Sequence, residues 1–251
     1  MPKLSKELIL ALPKWAREHL LPVLLTIRAA GFLLAALAMW VFATLAYEIL
    51  AKESFTFDQQ ILLALRELHG PILDVVMLGL TYIGQPTVLL SLCAGLGIWL
   101  LKLGERSQAT VLIIAASGAT ALNILLKNLF GRARPLLWER VIDVGQYSFP
   151  SGHAMISMVT FGMIGYLLTT KFPQWRGRII SSTLVLVIGI GLSRLYLGVH
   201  WPTDIVAGYA AGIVWLFTCI FSLQVWQDRR LATQNSQLSL DTDEQNSQIT
   251  G

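Results

Sequence analysis

The feature that most constrains this chain is the run from Ala29 to Tyr47, which contains no charged side chain. A helix of about 20 apolar residues spans the hydrocarbon layer of a bilayer, where every backbone N–H and C=O must be paired within the protein. The run exceeds the core of a signal peptide and lacks a convincing cleavage site, so it is read as a retained first span. Comparable stretches follow at Pro71–Leu101, 108–130, His153–Thr170, Ile179–Leu197 and Thr203–Val225. The second is long for one crossing and is broken at Gly84, Gln85 and Pro86, which predicts a partial helix over Pro71–Ile83 and a restart over Thr87–Leu101. In the third, Ala115, Ala116, Ser117, Gly118 and Ala119 permit close helix packing. The expected fold class is all-α, a polytopic membrane protein with six transmembrane helices. Composition agrees: only 14% of the 251 residues are charged, against about 25% in a soluble domain, and mean hydropathy is +0.62.

A net charge of +4 would suggest nucleic acid in a soluble chain. Here the Lys and Arg residues fall between apolar runs, so the expected partners are membrane lipids, with no nucleic acid and no obligatory protein partner. Basic residues flank the start of span one, the turn at Lys102 and Arg106, the turn at Lys171, Arg176 and Arg178, and the end at Arg229 and Arg230. With six crossings these share one side, which the positive-inside rule makes the cytoplasm, with both termini there. Three segments are then expected: a basic amphipathic piece on the cytoplasmic surface over 1–28, a six-span catalytic unit over 29–226, and a disordered polar tail over 227–251. Cys93 and Cys219 lie inside apolar runs and are read as small core residues.

The opposite side holds 48–70, 131–150 and 198–202, and ionisable residues gather there. A short surface helix is expected through Gln59–Leu68. In Gly191–Asp204 the chain places Ser193, Arg194, His200 and Asp204 where an apolar segment ends. Pro202 suits the first position of a new helix, which makes Trp201 its cap and lets Asp204, in the first turn, reach back to His200. An Asp on one imidazole nitrogen fixes the tautomer and frees the other nitrogen as nucleophile or base. In Lys127–Pro135, Gly131 and Pro135 stop the helix so that Arg134 can turn toward the same place. Lys127 would supply a point charge and Arg134 a fork for two phosphate oxygens. In Phe149–Ala154, Ser151 is a natural helix cap, and the amides of Gly152 and His153 form an anion nest with His153 beside it. Each cluster also has an ordinary reading: cations snorkelling to headgroups, a capped helix with an incidental His, an interfacial His next to a capping Asp.

Together these give three cations, a helix-terminal nest and two histidines, with no acidic cluster for Mg²⁺ and no zinc spacing, so neither metal nor cofactor is expected. Such a set suits phosphoryl transfer to an imidazole, followed by hydrolysis.

Lys127-x6-Arg134-Pro135, Pro150-Ser151-Gly152-His153 and Ser193-Arg194-x5-His200-x3-Asp204 resemble the three-part signature of the type 2 phosphatidic acid phosphatase (PAP2) superfamily, relatives of vanadium haloperoxidases. The resemblance covers Lys127–Asp204 in detail and implies a PAP2/haloperoxidase-like helical bundle. It also implies His200 as nucleophile, Asp204 as its orienting partner and His153 as general acid, with Lys127, Arg134, Arg194, Ser151 and the Gly152 amide on the phosphate. The activity implied is metal-independent removal of phosphate from a lipid phosphate or pyrophosphate such as undecaprenyl pyrophosphate, phosphatidylglycerophosphate or phosphatidic acid. The site would face the extracytoplasmic side of a bacterial plasma (inner) membrane. The alternatives are a lipid phosphotransferase using the same phosphohistidine, and a channel or transporter with a basic external mouth.

Overall fold

A computed structural model describes residues 14–51, 56–139 and 145–249, with side chains over 29–51, 56–139 and 145–230. Among them the regular elements are all helical: α1 (Lys14–Leu50), α2 (Thr56–Arg66), α3 (Pro71–Ile83), α4 (Pro86–Lys102), α5 (Arg106–Phe130), α6 (Gly152–Lys171), a 3-10 turn (Pro173–Trp175), α7 (Arg176–Tyr196) and α8 (Pro202–Ile249). Five stretches are each long and apolar enough to cross a membrane: Ala29–Leu50, Arg106–Phe130, Gly152–Lys171, Pro173–Tyr196 and Pro202–Arg230. The sixth candidate is the pair α3 and α4, bent by 51°. Its cause is the expected break: α3 stops at Gly84, Gln85 is extended (φ −65°, ψ 131°), and Pro86, which has no N–H to lose, opens α4.

Two ends differ from expectation. The described part of the basic N-terminal segment, from Lys14, continues the first helix through Pro22, while 1–13 lies outside the described residues. At the other end α8 runs past Arg230 to Ile249, through polar residues expected to lack regular structure.

The core lies between α4, α5, α6 and α8, where Leu89, Leu112, Ala115, Ala119, Val159, Met163 and Leu223 are buried. Small residues on α5 bring its backbone close to α8, so that the Trp215 indole N–H donates to the Ala115 carbonyl at 3.0 Å. Ser117, in the same stretch, points outward and returns its hydroxyl to Ile113 O at 2.7 Å. Cys93 and Cys219 are buried free thiols. Exposed apolar side chains such as Leu33, Val75, Leu125 and Val185 cover the outside of the bundle, as a lipid-facing wall requires.

Candidate active site

Helix ends at one end of the bundle position the site. At the C-terminus of α5, Gly131 adopts a left-handed conformation (φ 58°) that closes the helix on Lys127 O, a conformation a residue with Cβ takes only under strain. The chain then runs extended through Ala133, which pairs with Tyr147, while Ser148 N donates to Arg132 O at 2.8 Å. In an extended segment residues two apart share a face, so Arg132 and Arg134 point the same way. Arg132 reaches the first turn of α8 and Arg134 the residues just before it.

There the cap forms as expected, with more contacts than expected. Trp201 N donates to Asp204 Oδ2 at 2.9 Å, so Asp204 caps its own helix by reaching back from the first turn. The same oxygen faces His200 Nδ1 at 3.3 Å. Arg134 Nη1 lies 3.0 Å from His200 Nε2 and also donates to Val199 O at 2.6 Å, while its Nε donates to Gly145 O at 2.5 Å. A guanidinium has no acceptor, so His200 Nε2 must be the acceptor and the ring proton sits on Nδ1, toward Asp204. His200 is 1% exposed and Asp204 is fully buried. Burial, followed by the charges of Arg134, Arg194 and Lys127, holds the His200 imidazole well below the usual histidine range. The ring is therefore neutral at pH 7.

The turn before α6 lies directly against this. Ser151 N donates to Asp204 O at 3.0 Å, which joins the second and third sequence clusters through the backbone. The Ser151 hydroxyl accepts from Ala154 N at 3.5 Å as the helix cap, and the amides of Gly152 and His153 open the helix without intrahelical partners. A Cβ at Gly152 would stand 2.8 Å from Asn123 Oδ1, so any side chain here would have to displace Asn123. Asn123 Nδ2 in turn donates to Pro150 O at 3.2 Å. Phe149, wholly buried, packs on Phe130 and Phe42 with ring centroids 4.9 and 5.9 Å away. The cations Arg194, Lys127 and Arg134 act together on His153.

Arg194, 2% exposed, donates through Nη1 to Thr81 Oγ1 on α3 at 2.6 Å, and its buried Nε–H has no partner among the described residues. Lys127 sits at the rim, its ammonium donating to Tyr147 O at 2.7 Å. Thus His200, Asp204, Arg134, Ser151, Gly152, His153 and Arg194 share one region, with Lys127 at its edge. No group of three or more His, Cys, Asp or Glu that could hold a metal is found among the described residues.

Sequence reasoning missed two participants. Arg132 Nη1 donates to Asp204 Oδ1 at 2.6 Å and to Thr203 Oγ1 at 2.7 Å, and its Nη2 to Asp58 Oδ2 at 3.0 Å. Asp58, on α2 and 1% exposed, also accepts from Thr203 N at 3.0 Å and Thr203 Oγ1 at 2.6 Å. The signal for Arg132 was its spacing of two from Arg134 beside a proline; for Asp58 the sequence held none.

Comparison with known proteins agrees. Residues 108–229 match the model of the PAP2 superfamily. A decaprenylphosphoryl-5-phosphoribose phosphatase of Mycobacterium tuberculosis is 31% identical over 140 residues, 53% of this chain and 71% of that protein. The chain belongs to the PAP2 superfamily. Phosphatidylglycerophosphatase B of Bacillus subtilis is 28% identical over 179 residues, 70% of this chain and 88% of that one. The crystal structure of a transmembrane PAP2 type phosphatidylglycerolphosphate phosphatase from Bacillus subtilis superposes with a TM-score of 0.69 at 24% identity, covering 78% of this chain and 96% of the other. The chain is thus an all-helical, multi-pass membrane phosphatase of the PAP2 type.

Proposed function

We propose that the chain hydrolyses a phosphate monoester or pyrophosphate on a lipid through a phosphohistidine on His200. The observation that carries this is the pairing of the two ring nitrogens: Nδ1 faces Asp204 Oδ2 at 3.3 Å, and Nε2 opens toward the cations beside Arg134, 3.0 Å away. Nε2 attacks phosphorus in line, and Asp204 stabilises the imidazolium that forms. Arg134, Arg194, Lys127 and the first amides of α6 take the negative oxygens. His153 gives a proton to the departing lipid oxygen, then takes one from the water that cleaves the N–P bond and releases phosphate.

The substrate class follows from the wall around the site: a phosphate head reaches the helix ends while its acyl or prenyl chain stays in the bilayer. The named relatives act on a glycerophospholipid and on a polyprenyl phosphate derivative, which brackets phosphatidylglycerophosphate, phosphatidic acid and undecaprenyl pyrophosphate as candidates. The basic turns support six crossings, both termini in the cytoplasm, and a site on the extracytoplasmic side of the plasma membrane. Residues 29–226 hold every proposed site group. Phosphate release from a panel of these lipids in detergent with EDTA present tests the reaction. Turnover is expected to persist in EDTA and to fall about 10³-fold or more in His200→Ala; undiminished turnover in that variant would remove the nucleophile.

A further inference from the structure

We propose that Arg132 and Asp58 are positioning residues for the reaction: Asp58 holds Arg132, Arg132 holds Asp204, and Asp204 so held fixes the His200 ring. The inference rests on His200 as the nucleophile and goes beyond the signature residues.

Hydrogen-bond accounting makes the chain of contacts directional. Asp204 splits its oxygens: Oδ2 serves His200 and Trp201 N, and Oδ1 is given to Arg132 at 2.6 Å. A carboxylate held at one oxygen alone could swing about its Cβ; a second grip on the other oxygen stops it. Arg132 is itself gripped, because Nη2 lies 3.0 Å from Asp58 Oδ2 while Nη1 bridges Asp204 and Thr203. The single Thr203 hydroxyl proton goes to Asp58 Oδ2 at 2.6 Å, leaving its oxygen to accept from Arg132. Asp58 Oδ1 takes Thr203 N at 3.0 Å, so its charge also sits on the positive end of α8. Both carboxylates are essentially inaccessible to solvent. A half-buried cation between two buried anions leaves one net negative charge at this spot, and the two carboxylates depend on it to offset their lost hydration. The hydrogen bonds of Arg132, Asp58 and Thr203 described above run to Asp204 and to one another, which is the path by which they act on His200.

His200 is faced by Asp204 on α8, Arg134 on the extended segment, Arg194 on α7, Lys127 on α5 and His153 on α6, with Arg132 and Asp58 one step back behind Asp204. This fixes the sign of two single changes. Arg132→Gln removes a positive charge, so the imidazolium is less disfavoured and the acid limb of kcat/KM moves to higher pH. Asp58→Asn removes a negative charge, so the limb moves to lower pH. Each shift is expected to be about half a pH unit or more, and the double variant should return toward the parent. The second ionisation of the substrate phosphate falls on the same limb and is divided out of kcat/KM at each pH before the variants are compared.

The test measures kcat and KM for dioctanoyl phosphatidic acid in detergent from pH 4.5 to 8 on the full chain. Arg132→Gln and Asp58→Asn are expected to lower kcat about tenfold or more with KM within about twofold, with opposite shifts of the acid limb. If either neutral variant does not accumulate, Arg132→Lys and Asp58→Glu, which keep the charges but not the reach, should leave the limb in place while kcat falls. Limbs that do not move, or move together, would overturn the proposal, as would a rise in KM at constant kcat or full activity in the charge-keeping pair. His200→Ala is the control that separates the two readings: if it stays active the phosphohistidine is wrong, and if it is inactive while the limbs stand still only the positioning role falls.

Discussion

The end of the bundle that carries the site and its middle are built from the same helices by opposite rules. At the site, the ends of α2, α5, α6, α7 and α8 and the turns between them bury Asp58, Arg134, Arg194, His200 and Asp204, with Arg132 half-buried among them. Further along, α5, α6 and α8 join α4 to bury Leu112, Ala115, Val159, Met163 and Leu223 with hardly a polar atom among them. Buried charges contribute little net stability, because desolvation offsets their attraction, but losing one partner strands the other. Packed apolar side chains lose only their own contacts when trimmed. Changes at the charged end should therefore cost function as well as stability, and changes in the apolar middle stability alone.

The sharpest test of that contrast is Asp204→Asn. The amide is close in shape, but the oxygen that accepts from Trp201 N is the one that faces His200 Nδ1, so an N–H presented there gives up the cap and drives the ring proton to Nε2, where the proposed mechanism needs a lone pair. A fall in kcat of about 10²-fold or more per folded molecule is expected, together with a lower melting temperature because Arg132 loses its partner, read from initial rates and a melting curve on the same preparation. Thr81→Val comes next. Arg194 loses the hydroxyl 2.6 Å from its Nη1 while its Nε–H already lacks a partner among the described residues. The stranded guanidinium should cost about 1–3 kcal/mol and lower kcat/KM about tenfold, since a misplaced cation grips phosphate poorly. Added vanadate, taking the place of phosphate, should raise the melting temperature less in Thr81→Val than in the parent, because weaker binding stabilises less.

How much of this could be read from one sequence follows the same division. Lys127, Arg134, Ser151, His153, Arg194, His200 and Asp204 were legible because each stands at a helix end marked by Gly, Pro or Ser, where local rules place a side chain without knowledge of the fold. The spans were legible because hydrocarbon demands long apolar runs. Asp58 was not, since its partner Thr203 is 145 residues away and nothing local distinguishes it from a solvated charge in the first turn of α2. Arg132 was half legible. Pro135 disfavours helix at the residue before it, which with Gly131 makes the intervening segment extended and puts Arg132 on the face of Arg134; its contact with Asp204 needed the pairing of Ala133 with Tyr147 as well. The continuation of α8 beyond Arg230 ran against composition, because Gln, Asn, Ser and Thr are weak evidence for a helix whichever way it goes.

The smallest effect on activity is expected in the middle, from Met163→Ala. Met163 is fully buried in the core between the helices, about three turns along α6 from His153. Removing most of its side chain leaves a void that neighbouring Ala and Val cannot fill, so unfolding should become easier by about 2 kcal/mol. Lipid offers no hydrophobic force to reclose the helices, only contact between them, so the loss should appear in stability and not be absorbed by a tighter bundle. His153, held by the Ser151 cap and the aromatic support under Phe149, should not move, and turnover per folded molecule should match the parent within about twofold. A Met163→Ala protein of normal stability but slow turnover would break the contrast between the two regions, because it would show that packing in the middle sets the geometry of the charged end rather than merely holding the helices together.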